Sequence, residues 1–121
     1  MDALQQRYIR LTFRKLTHPE ISRAFEQKLA DLAPEFLPVQ QPLEILARLV
    51  QHLDDPAILH RLVQEYTIRY PIYQGTLPMI RDAMCWTIRQ HLEFTPKIQQ
   101  AWDALYVMMA EIMRDQAGIK R

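Results

Sequence analysis

Apolar residues recur at intervals of three and four along most of the chain, and nowhere do they alternate strictly with polar ones. That spacing lines them along one face of a 3.6-residue helix, so the pattern predicts helices and no strands. The first helix is expected from about Asp2 to Leu16, with Leu4, Tyr8, Leu11 and Phe13 near one face. "THPE" at 17–20 then reads as a new start, in which Thr17 caps free amides and Glu20 reaches back as a capping box. The second helix sets Ile21, Phe25, Leu29 and Leu32 on its inward face and stops at Pro34. "PEFLPVQQP" holds three prolines in nine residues and is therefore a connector.

A third helix begins at Pro42 and carries Leu43, Leu46, Leu49, Val50 and Leu53. "DDP" at 54–56 ends it and opens the fourth, with Asp55 as cap and Pro56 in the first turn. That fourth helix, "PAILHRLVQEYTIRY", aligns Leu59, Leu62, Val63 and Tyr66. "YPIYQG" interrupts the pattern, after which Thr76 and Pro78 are expected to open a fifth helix. Thr95 and Pro96 open a sixth. Its stripe of Ile98, Trp102, Leu105, Tyr106, Met109, Ile112 and Met113 is long and continuous, and the tail "GIKR" is expected to fray. Only two glycines stand against eight prolines, which suits helices bounded by proline better than hairpins. The expectation is a single all-α domain over residues 1–121.

Composition narrows the function classes. A chain of 121 residues with 49% apolar residues can bury a core of its own and is not disordered by composition. Fifteen basic and fourteen acidic residues leave a net charge of +1, so nothing pulls the chain toward nucleic acid or an anionic membrane. A lone Cys85 allows no internal disulfide, Met1 is followed by the polar "DALQQRY", and apolar runs are short. A soluble cytoplasmic protein with no membrane partner is expected.

Two longer phrases carry more information. "WTIRQHLEFTPKIQQAWDALYVMMAEIM", residues 86–113, joins Thr95–Pro96 to the pairs Ala101–Trp102 and Leu105–Tyr106. "FEQKLADLAPEF" sets Phe25 nine residues ahead of Pro34–Glu35. These phrases resemble the globin family, in particular bacterial single-domain globins and the globin domain of flavohaemoglobins, from about Tyr8 to Met113. The resemblance implies a globin-like bundle of about six to seven helices around an apolar pocket that normally holds haem. Such phrases concern packing, and they specify fold more than activity.

In that family a histidine on the helix before the penultimate one binds the iron. Counted back from Trp86, its position falls on Thr67, and Tyr70 matches the family's aromatic three residues on; a shift by one gives Tyr66. Neither is an imidazole. On the other side, the resemblance aligns Glu26, beside Phe25, with the distal tyrosine of bacterial members. Gln40 aligns with the phenylalanine that wedges haem, and Gln40 or Gln41 stands at the distal polar position. The implied pocket thus includes Phe25, Glu26, Gln41, His60, Tyr66 and Thr67, and it departs from the haem pattern at three contacts.

His60 is the best substitute ligand, seven residues before Thr67 on roughly the same helical face. That separation is roughly 10.5 Å along the axis, two turns from the expected site, and a polar-edge histidine is the simpler reading. Tyr66 has a phenolate precedent among haem proteins but reads first as a core residue with its hydroxyl at a wet edge. Glu26 pointing inward would be a carboxyl of raised pKa suited to sensing; beside an inward Phe25 it reads first as solvated. His18, His52 and His91 sit at helix ends and form no metal-binding cluster with His60 or Cys85. Cys85 has no basic neighbour or second cysteine and reads as an inert small hydrophobe.

These readings lead to the expectation of a globin-fold protein without standard haem ligation and without a cofactor, acting as a sensor, regulatory or protein-binding module. Its partner would be another protein or a second copy, with a small apolar ligand in the pocket as a further occupant. The resemblance implies a homodimer through the last two helices, using Trp102, Tyr106, Met109 and Met113. The alternative is a divergent haem globin for oxygen or nitric oxide, with His60 or Tyr66 on the iron. An enzyme is not expected, since no nucleophile–base pair or phosphate-cradling glycine loop occurs.

Overall fold

The computed structural model describes residues 2–34, 42–69 and 73–119. These form six helices: α1 (Ala3–Leu16), α2 (Pro19–Leu32), α3 (Pro42–Gln51), α4 (Pro56–Arg69), α5 (Tyr73–His91) and α6 (Pro96–Ile119). No strand occurs among the described residues, which form an all-α bundle of six helices. No described helix is long and apolar enough to cross a membrane.

Side-chain chemistry explains most of the boundaries. The Asp2 carboxylate accepts from the Gln5 amide at 2.7 Å while Gln5 Oε1 accepts from the Asp2 amide, which makes a capping box. Asp55 accepts from the Ile58 amide and opens α4. Thr95 does the same for Ile98 at the start of α6.

Three expected boundaries shift. His18, not Thr17, is the N-cap of α2 and offers no side-chain hydrogen bond there. Thr17 instead closes α1, its hydroxyl donating backward to the Arg14 carbonyl at 2.7 Å. Its neighbour Pro19 already occupies the first turn of α2, where a missing N–H costs nothing. In α5 the helix starts at Tyr73, and Pro78 lies inside it. At the far end α6 runs through Gly118 to Ile119, past the point where fraying is expected.

α6 is the central element. It packs against α1, α4 and α5, while α2 lies along α5 and α3 bridges α1 and α4. A helix with three neighbours needs a broad apolar face. That explains why Ala101, Trp102, Leu105, Tyr106, Met109, Ile112 and Met113 are all buried.

The first helix turns a different face inward from the one expected. Ile9, Thr12, Phe13 and Leu16 are buried, whereas Leu4 and Leu11 are exposed. Thr12 belongs on that face because Trp102 Nε1–H donates to its hydroxyl oxygen at 2.8 Å, joining α1 to α6. The Thr12 hydroxyl in turn donates to the Tyr8 carbonyl at 2.8 Å.

Candidate functional site

The helix before the penultimate one is α4, and its inward face ends in Tyr66 and Thr67. Both are buried, Thr67 completely. The Thr67 hydroxyl donates to the Val63 carbonyl one turn back at 2.7 Å, so it is occupied within its own helix. Tyr66 is different. Its hydroxyl is buried and makes no hydrogen bond of good geometry. Burial pushes the phenol above its ordinary pKa, and the Arg48 guanidinium of α3 acts against that shift.

Around Tyr66 the interior is filled. Ile45 and Leu46 come from α3, Val63 from α4, and Ile80 from α5. From α6 come Tyr106, Met109 and Met113, and these walls leave a void of about 20 Å³. A water needs roughly 10–15 Å³ by this kind of measure, whereas sites for larger ligands run to roughly 300–1,000 Å³. The residues present therefore do not fit a porphyrin in this arrangement. Opening such a space would mean displacing core side chains from four helices.

The other expected pocket residues disperse. Phe25 is buried in the core, while Glu26 beside it is exposed on α2. His60 is exposed, turned away from the Val63–Thr67 face it was expected to share. It is not placed to reach an interior ligand. Gln40, Gln41 and Tyr70 lie outside the described residues. Among the described residues, no group of three or more histidine, cysteine, aspartate or glutamate side chains is arranged to hold a metal.

The expected dimer surface requires a correction. Trp102, Tyr106, Met109 and Met113 are at most 5% exposed and belong to the core. Tyr106 donates to the Met84 sulfur at 3.5 Å, and burial drives its phenol far above the ordinary range. A stripe that serves α1, α4 and α5 holds these four side chains almost wholly within the chain's own core.

Among the described residues the surface instead carries depressions that the hydrophobic pattern did not reveal, two of which stand out. One, of about 440 Å³, runs between α5 and α6, with Leu77, Pro78, Val107 and Ala110 on its walls and Arg81 and Arg114 as its charged groups. The other, of about 370 Å³, lies where α2, α5 and α6 meet. There Leu32 and Trp86 stay 39% and 37% exposed, and the Lys28 ammonium sits 4.9 Å from the centre of the Trp86 ring. Half-buried Cys85 lines the same depression, its thiol pushed up chiefly by burial and further by Asp103, which disfavours the reactive thiolate. Sequence offered a faint sign of the first groove: Val107, Ala110 and Arg114 follow helical spacing on a face of α6 beside the core stripe. Only the side-by-side packing of α5 and α6 joins that row to Leu77 and Arg81.

No known protein-family model matches this chain, and no curated protein is detectably similar to it.

Proposed function

We propose that this chain is a globin-type helical module that works without haem, as a regulatory, protein-binding domain and not as an enzyme. One observation carries the reading: the interior beside Tyr66 is packed down to about 20 Å³, and neither Tyr66 nor Thr67 offers an imidazole. The helix order supports it too, since α4 is the helix on which the resemblance expects the iron ligand. With the interior closed, binding belongs to the surface.

The meeting of α2, α5 and α6 is the face best composed for a protein partner. Trp86 and Leu32 supply apolar contact there, and charges of both signs, Lys28, Arg81 and Arg89 with Asp82 and Asp103, surround them. Tryptophan and arginine are enriched among residues that dominate interface energies. Either a second copy or a separate protein would use this face in preference to the buried stripe of α6.

Titration of the purified protein with haem, followed by absorption, tests the haem-free reading. A featureless, non-saturating response is expected. A sharp, saturable Soret band that disappears in Tyr66→Phe or His60→Ala would establish the haem-globin alternative in its place.

A further inference from the structure

The groove between α5 and α6 combines features that point to a definite chemistry. Its charged groups are Arg81 and Arg114, both of one sign, and the rest of the lining is mainly apolar. Asp82, Glu111 and Asp115 are exposed on the same two helices but do not line it. Arg81 is only lightly engaged, at 3.4 Å from its neighbour Asp82, with both side chains about half exposed. Arg114 makes no ion pair among the described residues. Val107, on the groove wall, is 57% exposed, the highest value among the exposed large apolar residues described.

We propose that this groove binds a long-chain monocarboxylate, with the carboxylate held by Arg81 and Arg114 and the hydrocarbon tail laid along Leu77, Val107 and Ala110. Guanidinium groups suit a carboxylate because their donors form a planar fork that matches its two oxygens. The groove's volume of about 440 Å³ lies within the roughly 300–1,000 Å³ typical of small-molecule sites. A docked peptide helix would spread over roughly 800 Å² per partner, beyond what eight lining residues present.

The groove also has a yielding back wall. Leu77, Tyr106 and Met113 line both the groove and the interior void, so they separate the two. Met113 has a flexible thioether, and the void behind it gives the wall room to adjust to the end of a tail. The inference concerns the surface alone and stands whether or not the interior accepts haem.

Isothermal titration calorimetry of the full chain with sodium dodecanoate, kept below its aggregation concentration, is the test. Saturable binding of one dodecanoate per chain is expected, with butyrate and dodecyltrimethylammonium giving none. Arg81→Ala and Arg114→Ala should each weaken binding about tenfold, as the loss of a charge-assisted hydrogen bond does. Val107→Asp should weaken it at least as much by placing a charge against the hydrocarbon tail. All three side chains are exposed, and thermal melts followed by circular dichroism check that each variant folds. Absence of saturable heat into the millimolar range would overturn the proposal. So would equal binding of the cationic amphiphile or of butyrate, or undiminished affinity when both arginines are replaced. Capture by phosphatidylglycerol vesicles without binding of free dodecanoate would assign the groove to a membrane surface and would overturn it as well.

Discussion

At the scale of single residues, the buried hydroxyls show how this core tolerates polarity. Thr67 and Thr87 each donate to a carbonyl four residues back, at 2.7 and 2.8 Å, and so satisfy themselves within their helices. Thr12 does this and more, because its oxygen also receives the indole N–H of Trp102 from α6. Thr12→Val keeps the shape and removes that acceptor, leaving a buried N–H with nothing to bond. The expected cost is about 1–3 kcal/mol, read as a lower urea midpoint with an unchanged slope. Thr12→Ser retains the oxygen and should lose much less. The place of Trp102 on an apolar helical stripe was legible from spacing; its burial in the core and its partner ninety residues away were not.

Helices as units are governed by their ends. Asp2, Asp55 and Thr95 each accept from an amide three residues on, and each opens a helix. Thr17 stands one residue too early, next to His18 and Pro19, and serves the end of α1 instead. Two threonines with similar sequence surroundings thus have opposite duties, and substitution separates them. Thr95→Ala should cost about 0.5–2 kcal/mol through loss of the α6 cap. Thr17→Ala should cost little by the same thermal unfolding measurement, because no α2 cap is lost. The sequence pattern placed α3, α4 and α6 well because a proline follows or coincides with each start. It failed at α5, where Pro78 looks like an opening but is tolerated inside the helix.

Across the whole molecule, stability meets in α6, which touches α1, α4 and α5. Tyr106 lies at this centre, buried, with its phenol held far above the ordinary range; Tyr66 is raised too. An unfolded chain sheds these protons above about pH 10, while the folded protein keeps them. The unfolded state then binds fewer protons than the folded one. Stability from this source is therefore complete below about pH 10 and falls as pH rises beyond it. The Tyr106 phenol contributes a decline of about 1.4 kcal/mol per pH unit until its folded pKa is reached. Urea unfolding on both sides of that pH should show the slope, and Tyr106→Phe should reduce it by one phenol. An unchanged slope in that variant would mean that other groups set the alkaline limit.

The amino-acid sequence by itself determined that the chain is helical, where most helices begin, and which side chains are apolar enough to form a core. Those properties follow from local periodicity and from caps within a few residues, which any segment carries with it. It also determined that no histidine stands at Tyr66 or Thr67. Only the tertiary structure decided how the apolar faces were used. Trp102, Tyr106, Met109 and Met113 became core and not interface because three helices converge on α6. His60 and Glu26 turned outward, and the interior closed around Tyr66. The α5–α6 groove likewise exists only because two successive helices fold back to lie side by side. Its residues are separated by a loop and several turns, and helical spacing cannot relate positions on different helices.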